Sequence, residues 1–232
     1  MARWLSMFED TCRFPARENE CLGWHEARIT AALKTPGYVS ARVYKIKQVR
    51  NGRGQFITLY EIDSDDIAAT LALGDSRLAA ESARNAEPDS LMMPLWTNVL
   101  WREIAAVPAD MASRKTGNWV NLIEINCADP QREGEFNNWY HHTHLSDTVK
   151  TPGFLAARRY QAKTFVGGRA DYLALYEIET DDIDRTIALR RASREKEKAL
   201  GRYADSQLFL RVWEDVLAEL ILERNAVVQS SA

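Results

Sequence analysis

Cysteine is scarce in this chain, and its three copies, Cys12, Cys21 and Cys127, are an odd number without C-x-x-C spacing. The simplest reading is reduced thiols in a cytoplasmic protein. No apolar run approaches the roughly 20 residues that span a bilayer, so no membrane partner is expected. The opening MARWLSMFEDT lacks the apolar stretch of a signal peptide. An excess of one charge is also missing: the net charge is −3, with Lys and Arg spread along the chain, which argues against a nucleic-acid partner. No G-x-S-x-G or Walker sequence is present, and Gly167-Gly168-Arg169 lacks the strand–turn–helix context of a phosphate loop. Histidine is rare too, but three of its four copies fall within one four-residue stretch, His141 to His144.

What is present is a repeat. Residues 35–67 (TPGYVSARVYKIKQVRNGRGQFITLYEIDSDDI) match residues 151–183 (TPGFLAARRYQAKTFVGGRADYLALYEIETDDI) at about half their positions. The offset there is 116. Upstream it is 115, pairing Cys12 with Cys127, Pro15 with Pro130, Glu18 with Glu133 and Trp24 with Trp139. One residue has therefore been gained or lost within the intervening helix. Downstream, VLWRE (99–103) resembles RVWED (211–215).

Each copy has the same order of elements. WLSMFED and WVNLIEIN alternate as strands. A Pro and an acidic helical start follow, and Thr-Pro-Gly stops the helix. A hairpin is expected at Asn51-Gly52 and at Gly167-Gly168. Asp65-Asp66 and Asp181-Asp182 open a second helix, where carboxylates suit the dipole. LWTNVLW and LFLRVW close the unit as strands. This βαββαβ order is ferredoxin-like. The fold class expected is α+β, two tandem repeats whose antiparallel sheets pack face to face into one pseudo-two-fold α/β barrel. The divisions are 1–106, a linker at 107–117, a second repeat at 118–224 and a flexible tail at 225–232. Homodimers remain open.

Period-two alternation sorts the strand residues. Val39, Ala41, Val43, Leu155 and Ala157 are expected under the helices. Tyr38, Ser40, Arg42 and Tyr44, matched by Phe154, Ala156, Arg158 and Tyr160, are expected between the sheets. So are Phe56, Thr58 and Tyr60, matched by Tyr172, Ala174 and Tyr176. The outcome is a pocket for a small aromatic or polyketide-like substrate, walled by rings, with one Arg from each half. The competing reading pairs Arg42 and Arg158 with acidic neighbours.

On the helix 135–145, Tyr140 and His144 are four apart and His141 and His144 three apart, sharing a face. A phenol-bonded imidazole there suits acid–base work. His141-x-x-His144 also has ligand spacing, but a structural zinc wants four ligands, so no metal and no cofactor is assigned.

The pattern Glu135, Phe136, Trp139, Tyr140, His144, Leu145, then Pro152, Gly153, Phe154, Arg158, Arg159, Tyr160 resembles the signature of EthD-like proteins of the dimeric α/β-barrel superfamily. Ser146 stands where that family commonly has Pro. The superfamily includes cofactor-free cyclases, dehydratases, isomerases and monooxygenases, and haem-binding enzymes. The resemblance implies a small-molecule cleft with His144 as the functional His. The first copy has Trp24 and His25 at the Trp139–Tyr140 positions and Arg28 or Ile29 at that of His144.

The expectation is a cofactor-independent lyase, cyclase, isomerase or dehydratase. His144, Tyr140 and His141 are its catalytic candidates. Trp139, Arg158, Tyr160, Tyr176, Arg42 and Tyr60 are its substrate-binding candidates. The alternatives are a non-catalytic small-molecule binder of the same fold and a haem- or metal-dependent oxidoreductase.

Overall fold

A computed structural model describes residues 2–48, 53–84, 91–110, 114–163, 170–204, 208–211 and 216–226. Both expected hairpin turns, Asn51-Gly52 and Gly167-Gly168, and tail residues 227–232 lie outside them. The chain is α+β, with antiparallel strand pairing throughout the registers that follow. It divides into two compact units, Met1–Arg102 with Leu220–Ala232, and Glu103–Glu219.

Unit 1 contains β1 (Arg3–Cys12), α1 (Glu18–Ala32), β2 (Tyr38–Ile46), β3 (Phe56–Asp63), α2 (Ile67–Arg84) and the first part of β4 (Met92–Val107). Unit 2 contains the rest of β4, β5 (Trp119–Cys127), α3 (Glu133–Trp139), a π turn (Tyr140–His144), α4 (Leu145–Val149), β6 (Phe154–Ala162), β7 (Tyr172–Ile178), α5 (Ile183–Ala199) and β8 (Phe209–Arg211). β9 (Val216–Asn225) begins in unit 2 and ends in unit 1. In unit 1 the strands run in the order β4-β1-β3-β2, the ferredoxin-like order. In unit 2, β7 pairs with both β6 and β5.

The repeat is visible in local details. Asp66 and Asp182 each accept a backbone N–H in the first turn of the following helix, from Ala69 (3.1 Å) and Arg185 (3.0 Å). Gly37 and Gly153, the glycines of the two Thr-Pro-Gly stops, sit at φ 95° and 92°, a left-handed conformation that favours glycine.

The faces of β3 and β7 differ from the alternation argument. Ala41 pairs with Tyr60 and Val43 with Thr58, while Ala157 pairs with Tyr176 and Arg159 with Ala174. Cross-strand partners share a face, so Phe56, Tyr60, Tyr172 and Tyr176 lie with Ala41, Val43 and Ala157 in the helix-side cores. A bulge after Tyr38 and another after Phe154 slip the strands by one residue. They turn these two rings to the helix side as well.

The reduced-thiol expectation is also corrected. Cys12, at the end of β1, is bonded to Cys21 on α1, leaving Cys127 as the free cysteine. Among the described residues no helix is long and apolar enough to cross a membrane.

Candidate functional site

Between the aligned Trp and the Thr-Pro-Gly stop, repeat two holds one residue more than repeat one, and the extra residue is accommodated as a π turn. The Leu145 N–H reaches back five residues to the Tyr140 carbonyl. The 115-to-116 change of offset falls on this turn. Past it, Arg28 is the partner of His144. Arg28 lies over the Trp24 ring at 5.2 Å, and His144 lies over Trp139 at 4.6 Å, nearly parallel at 28°. The π turn thus lets a five-residue spacing do what a four-residue spacing does in α1.

His144 is only 8% exposed. Besides Trp139 it touches the rings of Tyr140 (4.9 Å), Tyr203 (5.8 Å) and Tyr176 (6.4 Å). Its Nδ1 has no hydrogen-bond partner among the described residues. Burial, reinforced by the positive charges of Arg190 and Arg159, pushes its pKa down to about 3, so the imidazole is neutral at ordinary pH. His141 is lowered to about 4, by burial first and then by Arg159. His142, between them, is exposed.

The surroundings of His144 are fixed by clamps. Trp139 Nε1 donates to the Arg202 carbonyl (3.0 Å), and the Arg202 guanidinium forks onto both Asp147 oxygens at 2.9 Å. The loop after α5 is thereby tied to α4. Thr148 Oγ1 donates to the His144 carbonyl (2.8 Å).

Beside the histidine, on β6, is a residue the alternation argument passed over. Arg159 is 0% exposed. Its guanidinium lies 4.2 Å from the Tyr140 ring centroid, 4.4 Å from Tyr172 and 4.7 Å from Phe136. None of Nε, Nη1 and Nη2 meets a hydrogen-bond acceptor among the described residues. Burial lowers its pKa, opposed by Tyr140, Tyr172, Tyr176 and Glu133. Tyr172 donates its hydroxyl proton to Glu133 and accepts from Asn137 Nδ2 (3.1 Å). The Tyr176 phenol is held well above its usual pKa, by burial first and then by Tyr140.

Of the residues singled out from sequence, unit 2 brings together Trp139, Tyr140, His141, His144 and Tyr176. Arg158 and Tyr160 fall on the opposite face of β6, opposite Leu175 and Leu173. Arg158 is ion-paired with Glu177, as Arg42 is with Glu61 in unit 1. These ion pairs are those of the acidic-neighbour reading, and both guanidiniums keep the strand face expected of them, away from the helix-side cores. Tyr60 lies in the helix-side core of unit 1, in contact with Tyr38 (5.7 Å) and Phe8 (5.6 Å). In that unit His25, wholly buried, has Nε2 3.4 Å from Asp10 Oδ1 and Nδ1 3.4 Å from Thr58 Oγ1.

Among the described residues no group of three or more His, Cys, Asp or Glu converges as a metal cage would.

No family model matches the chain, and no curated protein matches it. Solved structures do. A protein from Fusobacterium nucleatum subsp. nucleatum, named as a monooxygenase, superposes with a TM-score of 0.62 at 10% identity, over 97% of this chain and 94% of its own. One named as a chlorite dismutase gives 0.59 at 14% identity, over 95% of both chains. An anthrone oxidase-like protein gives 0.57 at 12% identity, over 100% of this chain and 95% of its own. At these identities the likeness establishes the fold, that of the ferredoxin-like dimeric α/β-barrel proteins. It also overturns the cofactor-independent lyase, cyclase, isomerase or dehydratase expectation. The neighbours carry the names of a chlorite dismutase, a monooxygenase and an oxidase.

Proposed function

We propose that the protein is a haem-dependent oxidoreductase of small molecules, with its site in the helix–sheet layer of unit 2. The observation that carries the proposal is His144, a buried neutral imidazole whose Nδ1 has no partner among the described residues. A bare metal ion finds no cage of three ligands there. Haem would be held by the neutral imidazole of His144, which has the donor chemistry that such a group takes from a protein. The stretch carrying the EthD-like resemblance, Glu135 to Tyr160, covers the same side chains.

Bound there, haem supplies one-electron and oxygen chemistry. The chain's own residues do the rest. Trp139 fixes the plane of the imidazole by stacking, and burial keeps the ring unprotonated and available to donate. The rings of Tyr140, Tyr176 and Tyr203 surround it and limit water. Arg159 places a fixed positive charge in the same layer, where negative charge is stabilised.

The test is the visible spectrum of the protein expressed with ample haem supply. A Soret band that stays with the protein through gel filtration, at one haem per chain, is expected. A colourless protein that takes up no added hemin overturns the proposal.

A further inference from the structure

Unit 1 does without the charge that unit 2 buries. The residue of β2 aligned with Arg159 is Val43, wholly buried in the apolar core of unit 1, and the partner of Tyr172 is Phe56. The strand position itself therefore has no need of a guanidinium. Burying an ionised group that meets no acceptor is strongly unfavourable. Ring contacts of the cation–π kind offset part of that, yet among the described residues they leave the N–H donors of the guanidinium without oxygen acceptors. A carboxylate is the group that the planar fork matches best, through two parallel hydrogen bonds.

We propose that Arg159 is the receptor for the carboxylate of a flat, singly charged organic anion, the substrate class of the site proposed above, on which this inference rests. Single charge follows from the surroundings. Among the described residues Arg159 is the cation caged by these rings, Arg190 on α5 is ion-paired with Glu197, and Glu133, held by Tyr172, lies close enough to offset part of the guanidinium charge. A phosphate dianion would leave a negative charge uncompensated in a water-poor layer. The flat skeleton follows from the neighbours of the guanidinium, the rings of Phe136, Tyr140 and Tyr172, against which a planar apolar group packs.

Calorimetric titration of the full chain with benzoate, benzamide and phenyl phosphate tests the inference. Benzoate is expected to bind once per chain, because unit 1 has Val43 where unit 2 has Arg159. Benzamide and phenyl phosphate are expected to bind at least about tenfold more weakly, and Arg159→Met is expected to lose at least about tenfold in benzoate affinity while keeping its circular dichroism. Absence of benzoate binding, equal binding of benzamide, or full affinity in Arg159→Met overturns it. Should the Met variant not fold, Arg159→Lys decides: it keeps the charge but not the fork, so weaker benzoate binding supports the inference and unchanged binding counts against it. Hemin added to the same samples separates the two readings. Benzoate binding without a Soret band refutes only the haem site, and a Soret band without benzoate binding refutes only the anion receptor.

Discussion

A histidine that refuses a proton and an arginine with no acceptor among the described residues are unfavourable to bury, and the histidine gives that a pH signature. His144 titrates near 6.5 when unfolded and at about 3 when folded. Between those values the unfolded chain binds a proton that the folded chain does not. The stabilisation is complete above 6.5 and is lost as pH falls toward 3. His141, lowered to about 4, acts in the same sense. Urea unfolding of the wild type and of His144→Gln between about pH 4 and 6 should show a shallower fall of stability in the variant. Parallel curves would mean that His144 is not the buried group described. Sequence reasoning reached His144, Tyr140, His141 and Trp139, because clustered imidazoles and aromatic rings at helix spacing are visible in a string of letters, whereas it set Tyr176 on the other face of its strand. It took Arg158 in place of Arg159. The two are adjacent, and only the pairing of Arg159 with Ala174, between Tyr172 and Tyr176, says which one enters the ring cage.

At the scale of elements, the one-residue change of repeat offset was legible as an insertion, and its form is the π turn Tyr140–His144. α1 shows that the helix folds without it. Deleting His142, the exposed residue of that turn, should leave far-UV circular dichroism and cooperative unfolding intact while turning Tyr140 and His141 away from Arg159. Hemin affinity is then expected to fall at least about tenfold, and unchanged affinity would make the turn incidental. The strand faces were less legible. Alternation is reliable along a strand, but the bulges after Tyr38 and Phe154 and the register of β3 and β7 depend on neighbouring strands. The disulfide was not legible either. Cys21 follows Cys12 by nine positions, and only the return of the chain through the turn Pro15–Arg17 brings β1 against α1. From the size of that loop, its removal should cost about 2–3 kcal/mol. Thiol titration of the denatured, unreduced protein should find one free thiol, Cys127. Three would show that the bond is absent.

At the scale of the molecule, duplication was the strongest signal in the sequence, and α+β ferredoxin-like architecture followed from it and agrees with the solved neighbours. Reaction type was not legible, since this fold hosts many chemistries. The two repeats also diverged where chemistry is at stake. His25 with Asp10 and Thr58 occupies the layer in unit 1, and Arg159 with His144 occupies it in unit 2. The account places the working site in the second of these. Hemin titration of wild type, His144→Ala and His142→Ala, followed at the Soret band, tests that placement most directly. Wild type and His142→Ala should bind one haem per chain with similar affinity, and His144→Ala should lose the band while remaining folded. Equal binding by all three variants would contradict the account.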